Sequence, residues 1–156
     1  MKLHDFHEKY LHELMSWFNS ETQLKQWSGP QFEYPYTEQS FIRDLNRQVL
    51  PSFVLLSDTN EFIAFGQFYL RLNRCHLGRL VVKPSWRGKG VINQLIVALI
   101  SKGQCSLGVN TCSLFVLAQN KAAISAYQKA GFERVEYPER LSLKNCLYMI
   151  KNSEQS

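Results

Sequence analysis

The sequence predicts a mixed α/β (α+β) fold: a six- to seven-stranded sheet with helices on both faces. Three observations predict it. Before residue 50 the apolar residues recur at helical spacing. From residue 52 the period shortens, and turn residues separate short strands in the manner of a β-meander. From about residue 80 onward, strand and helix patterns alternate to the end.

Residues 8–18 carry Leu11, Leu14, Met15 and Phe18 at helical spacing. Ser20 is placed to cap a following helix, ETQLKQW. Residues 28–36, SGPQFEYPY, contain two prolines and three aromatics and read as a loop. Thr37 caps a helix over EQSFIRDLNRQ that ends before Pro51. Phe53–Leu56 is a strand, residues 57–60 a turn, and Phe62–Leu72 a longer strand. Leu72-Asn73-Arg74 turns the chain into a third strand, Cys75–Val82. A helix follows from about 90 to 102, its Val91/Ile92, Leu95/Ile96 and Leu99/Ile100 pairs forming one apolar face. Thr111–Leu117 is the next strand, and Asn120–Ala130 a helix closed by Gly131. Phe132–Tyr137 and Cys146–Ile150 are the last strands, with residues 152–156 frayed.

No repeat or linker interrupts the 156 residues, so residues 1–156 form one domain. With 45% hydrophobic and 20% charged residues, the chain is globular rather than disordered. Its net charge of +5 suits a polyanionic small ligand as well as nucleic acid, but no Lys/Arg run resembles a nucleic-acid tail. Nucleic acid is therefore not an expected partner. Cys75, Cys105, Cys112 and Cys146 show no C-x-x-C spacing, which points to free thiols in a reducing, cytoplasmic setting. His4, His7 and His12 lie close in sequence, yet no Cys or carboxylate spacing supports a metal, and none is expected. The N-terminus has no apolar signal region. VINQLIVALI is too short for a membrane span, so no membrane association is expected.

The most informative segment runs from Leu80, Val81 and Val82 through Arg87, Gly88, Lys89 and Gly90 into Val91, Ile92 and Asn93. A strand enters a basic, glycine-bearing turn that opens a helix. The first turn of a helix leaves four N–H groups unpaired at its positive end, a ready anion site. Gly88 and Gly90 let a phosphate approach the backbone, and Arg87 and Lys89 add charge. No G-K-[ST] follows, so it is not a P-loop, and the third glycine of a dinucleotide fingerprint is missing.

The segment resembles the acetyl-CoA motif of the GNAT superfamily, [QR]-x-x-G-x-[GA] after a strand ending near V-x-P. Arg87 matches the first position and Gly90 the central glycine; Ile92 stands where the family has Gly or Ala. A second block, Asn120-x-x-Ala123-x-x-x-Tyr127-x-x-x-Gly131-Phe132, is similar to the family's N-x-x-A-x-x-x-Y-x-x-x-G-F. The blocks occur in family order, and the resemblance covers residues 52–137.

The resemblance implies a GNAT fold and an acetyl-CoA-dependent N-acetyltransferase acting on a primary amine. The acceptor would be a small molecule, a protein N-terminus or a lysine. It implies that acetyl-CoA lies on Leu80–Val82 and residues 87–93, that Asn120 contacts the pantetheine, and that Tyr127 protonates the leaving thiolate. It also leaves room for a homodimer, since such domains often pair. The residues alone allow Tyr127 to be a core aromatic on an apolar helix face. No general base declares itself: His76, Glu33 and a water chain are all open. The missing base also leaves open a GNAT-like module that binds acyl-CoA without turnover. Four aromatics in the Trp27–Tyr36 stretch, stiffened by Pro30 and Pro35, exceed what anchoring a loop needs. In the GNAT fold that stretch borders the acceptor cleft, so Trp27 and Tyr34 are expected to line it, with Glu33 holding a cationic amine.

Overall fold

The computed structural model describes residues 1–138 and 145–152. The elements run β1 (Lys2–Asp5), a 3₁₀ turn (Glu8–Tyr10), α1 (Leu11–Ser16), α2 (Glu21–Ser28) and α3 (Glu38–Leu45). The meander follows as β2 (Ser52–Leu56), β3 (Phe62–Arg71) and β4 (Arg74–Val82). Then come α4 (Val91–Leu107), β5 (Thr111–Leu117), α5 (Lys121–Lys129), β6 (Glu133–Val135) and β7 (Cys146–Asn152). Seven strands make one sheet in the order β1-β2-β3-β4-β5-β7-β6. Among the described residues, only β4 and β5 pair in parallel.

Helices cover both faces, as expected. On one face, Leu11, Leu14, Leu24, Phe41 and Leu45 from α1–α3 pack on Val54, Phe65 and Val81 of the sheet. On the other, Leu95, Ile96 and Leu99 of α4 and Tyr127 of α5 pack on Ile63, Phe68, Leu77 and Leu114. Truncating one of these fully buried leucines to Ala would cost roughly 2–5 kcal/mol.

α4 lies unusually close to the sheet at two glycines. A Cβ on Gly66 of β3 would stand 2.6 Å from the Leu99 side chain and 2.8 Å from that of Leu80. A Cβ on Gly103, inside α4, would collide with the Cys75 sulfur. Both positions need glycine for approach rather than for turning.

Several boundaries differ from the sequence reading. β1 was not anticipated; it pairs with β2 and starts the sheet one strand earlier. The helix expected over 8–18 is a 3₁₀ turn followed by six residues of α1, with Trp17 and Phe18 buried beyond its end. α3 stops at Leu45 because Asn46 adopts a left-handed conformation, φ 55°. α4 runs five residues past the expected end, to a left-handed Gly108. β6 is confined to Glu133–Val135. Asn152, expected to fray, is the last residue of β7, and residues 153–156 lie outside the described ones.

Candidate active site

β4 carries a bulge. Phe65 pairs with Val81 and Gln67 with Gly78, so Gly66 of β3 faces two residues of β4, Arg79 and Leu80. Arg79 has φ 51°, a left-handed conformation that costs a residue with a Cβ about 1–3 kcal/mol unless its surroundings hold it. Here they do. Its largely buried guanidinium donates to the carbonyls of Asp44 (2.9 Å), Leu45 (3.2 Å) and Ser28 (3.4 Å) and to Gln67 Oε1 (3.4 Å). Its own carbonyl accepts from Trp27 Nε1 at 2.7 Å. One residue thus ties the C-terminal ends of α2 and α3 to the bulge. Burial pulls its pKa below the ordinary arginine value, but a guanidinium keeps its charge.

The ladder between β4 and β5 covers only Cys75–Leu77 against Cys112–Leu114. Beyond Leu77 the strands part, and the β5-facing edge of Arg79, Leu80, Val81 and Val82 has no strand partner. A groove of about 390 Å³ lies beside the opening, between Glu21, Thr22, Lys25 and Gln26 of α2 and Leu117 and Gln119.

After β4 the chain makes the basic turn. Gly88 and Gly90 have φ 78° and 77°, and a Cβ on either would meet no protein atom within 4 Å. Gly90 begins the 17-residue α4 with no side-chain cap and no acidic residue in the first turn. The N–H groups of Val91, Ile92 and Asn93 therefore have no side-chain cap and follow directly on Arg87 and Lys89. Arg87 Nε donates to the Val82 carbonyl at 3.1 Å, folding the side chain back over the turn. Lys83 is not free for a ligand: it donates to Glu13 (3.1 Å) and Glu61 (2.9 Å), and Trp86 Nε1 also donates to Glu61 (2.9 Å). These bonds anchor the turn to α1 and to the start of β3. Ile92, the departure from the family pattern, is half-buried and packs against the α4-side core.

Tyr127 is buried in that same core, and burial pushes its pKa up to about 12. Among the described residues its hydroxyl has no hydrogen-bond partner, and its ring meets Phe132 edge-on at 6.3 Å. Asn120 is the N-cap of α5 rather than part of the helix; its Oδ1 accepts from the Ala123 N–H at 3.2 Å. That leaves its amide NH₂ for a ligand.

The residues expected on the acceptor side separate. Trp27 belongs to α2, not to the loop, and stacks on Phe18 at 4.4 Å while holding the bulge through Arg79. Phe32 is fully buried, and the Tyr36 hydroxyl donates to the Met15 carbonyl at 2.8 Å, so both anchor the loop. Glu33 and Tyr34 are exposed and touch α3 and Tyr36: Glu33 pairs with Arg43 at 3.8 Å, and Tyr34 meets the Tyr36 ring at 6.2 Å. The structure therefore brings Trp27 to the bulge and leaves Glu33 and Tyr34 on the outer loop.

His76 is fully buried. Its Nδ1 lies 2.8 Å from Ser113 Oγ, and burial, with the Arg71 charge, pulls its pKa down to about 3. It is a neutral imidazole and a poor base. Among the described residues, no group of three His, Cys, Asp or Glu side chains could hold a metal, and no helix is long and apolar enough to cross a membrane. Sequence reasoning missed Arg79 altogether; its only local signal was the preceding Gly78, unremarkable in a strand.

The chain resembles solved acetyltransferases over nearly its whole length. A spermidine N-acetyltransferase from Vibrio cholerae, solved with CoA and spermine, superposes with a TM-score of 0.72. It is 16% identical, over 97% of this chain and 95% of that one. The ribosomal-protein-S18-alanine N-acetyltransferase from Escherichia coli gives a TM-score of 0.67 at 20% identity, over 99% and 95% of the two chains. At such identities the likeness is one of fold. A model of the Acetyltransferase (GNAT) family matches residues 11–132, which span both the basic turn and the Asn120–Phe132 block. On that match, the chain belongs to the acetyltransferase (GNAT) family.

Proposed function

We propose that this protein transfers the acetyl group of acetyl-CoA to a primary amine. The observation that carries the reading is the start of α4, uncapped and free of acids, directly after a strand whose outer edge is unpaired. That donor set fits a pyrophosphate: several N–H groups, a helix positive end, two basic side chains and no Cβ in the way. The N–H groups of residues 88–93 would hold the pyrophosphate, with Arg87 and Lys89 beside it. The free edge of Leu80–Val82 and the Asn120 amide would follow the pantetheine toward the gap between β4 and β5.

Bound acetyl-CoA supplies a thioester, whose C–S bond breaks as the C–N bond to the amine forms. Backbone N–H groups at the bulge are positioned to stabilise the negative charge that builds on the carbonyl oxygen. Tyr127 keeps its proton throughout the neutral range because burial raises its pKa. The same burial destabilises a thiolate next to it, and the raised thiol pKa favours taking the proton, whereas the phenol's own raised pKa opposes giving it up. His76 is too weak a base to serve the amine, and Glu33 faces α3, so the amine's proton leaves through water. Trp27 acts on the acceptor side by holding the bulge. Glu33 and Tyr34 would touch only an acceptor long enough to reach the outer loop, such as a peptide. Buried, unpaired Cys75 and Cys112 suit a reducing compartment such as the cytoplasm.

The test is thiol release from acetyl-CoA with a panel of amines. Tyr127→Phe should lower kcat by roughly 10²-fold or more while the Kd for acetyl-CoA stays put. Normal turnover in that variant would return Tyr127 to a packing role. Tight acetyl-CoA binding with no release for any amine would instead leave a binding module without turnover.

A further inference from the structure

The face of the sheet opposite α4 and α5 is covered by α1–α3 only over its first strands. Past the point where β4 and β5 part, β5 and β7 present rings on this face. Phe115 is the first residue of β5 beyond the ladder with β4, and its register partner on β7 is Tyr148. Tyr137, after β6, meets Tyr148 edge-on at 4.8 Å and Phe115 at 5.5 Å. These rings flank the gap into which the reacting thioester would project, on the side left open for an acceptor.

Two arginines stand on this patch. Arg71 Cζ lies 4.9 Å from the Phe115 centroid and 5.6 Å from that of Tyr137. It donates to the Tyr137 hydroxyl at 3.0 Å and the Tyr69 hydroxyl at 3.3 Å. Arg74 donates to the Tyr148 hydroxyl at 3.1 Å. Every one of these partners is neutral. Among the described residues no carboxylate lies within 4 Å of either guanidinium, although Arg47 and Lys25 each have one and Arg43 and Lys83 each have two. The described acids near these rings in sequence, Glu133 on β6 and Glu136 beside Tyr137, are exposed, and neither pairs with Arg71 or Arg74.

A patch meant for a polycation would carry acids here. This one holds two half-buried guanidinium groups, oriented by tyrosine hydroxyls and each with donors to spare. Their planar fork matches a carboxylate. We propose that the acceptor is a primary amine that also bears a carboxylate, with the carboxylate on Arg71 and Arg74 and the amine toward the gap. The inference rests on the N-acetyltransferase reading above and names its acceptor class.

The experiment uses the full chain and matched acceptors: amino acids of each side-chain class, and the amines obtained by removing their carboxyl group. Acetyl-CoA binding is measured first by calorimetry. If it is absent, the N-acetyltransferase reading fails and this inference fails with it. With CoA bound, affinity and thiol release are then compared within each pair. At least one carboxylate-bearing member should exceed its partner by roughly 10-fold or more in Kd or kcat/KM. Arg71→Gln should bring that ratio close to one, and Arg71→Lys should restore part of it. If every pair shows equal or reversed preference, with lysine no better than 1,5-diaminopentane, the inference is overturned while the enzyme reading survives. An unchanged ratio in a folded Arg71→Gln protein overturns it as well.

Discussion

Two helix starts on opposite faces of the sheet meet the same requirement in opposite ways. α3 begins with a reciprocal box: Thr37 Oγ1 accepts from the Ser40 N–H at 3.0 Å, and Ser40 Oγ accepts from the Thr37 N–H at 2.9 Å. α2 and α5 follow the same habit, with Ser20 accepting from Gln23 and Asn120 from Ala123. α4, twice as long as any of them, begins at a bare glycine. The capped starts satisfy their N–H groups from within the chain. The uncapped one leaves them without a partner in the chain, after two cations, and in the function proposed above an external anion takes the place of the cap.

The largest test of this contrast is Gly90→Val. It puts a β-branched side chain at a φ of 77° and fills the space before the N–H groups. Acetyl-CoA affinity should fall by roughly 100-fold or more, since the side chain occupies the phosphate's place and blocks its contacts, while the strain of about 1–3 kcal/mol lowers stability instead. Calorimetry that finds the wild-type Kd would detach the turn from the cofactor.

Asn93→Glu sharpens the contrast by giving α4 the acid its first turn lacks. A carboxylate there should stabilise the free protein by about 0.3–1 kcal/mol, lifting Tm by about 1–4 °C. It should also weaken acetyl-CoA binding by about 10-fold through like-charge repulsion. Stability and affinity must move in opposite directions; both falling together would mean that the variant damaged the helix instead.

Thr37→Val is the counterpart on α3 and the smallest effect. Losing the cap should cost about 1 kcal/mol and lower Tm by about 2–4 °C, with acetyl-CoA binding unchanged. Thermal melts and calorimetry on the same sample check both halves.

What the sequence showed was local. The glycines, the basic pair and the helix they open occupy neighbouring positions, so their chemistry could be read without knowing the fold. The caps at Ser20 and Thr37 were legible for the same reason; that Asn120 caps α5 rather than joining it was not. The rest depended on pairings remote in sequence. Lys2–Asp5 lacks strand alternation and becomes a strand only because β2 is there to pair with it. Arg79 looks like any strand residue until α2 and α3 arrive from 34 and more positions upstream to bind its guanidinium. Arg71 meets Tyr137 across 66 residues. The helix expected over 8–18 breaks because Trp17 and Phe18 gain more by burying beyond Ser16 than by continuing the turn.

The two glycine contacts under α4 carry a mechanical consequence. At Gly66 and Gly103 the helix is pressed to the sheet with no room for a methyl group, so its middle and far end behave like a beam bolted at two points. Its first turn is held only by the Val91 and Ile92 side chains in the core, and its leading N–H groups have no partner within the helix. Opening motions of this helix should therefore concentrate at Val91–Asn93, where amide hydrogens exchange quickly in the free protein. An anion seated there acts as the third bolt: exchange at those few amides slows on binding, while the remainder of α4 keeps the protection it already had.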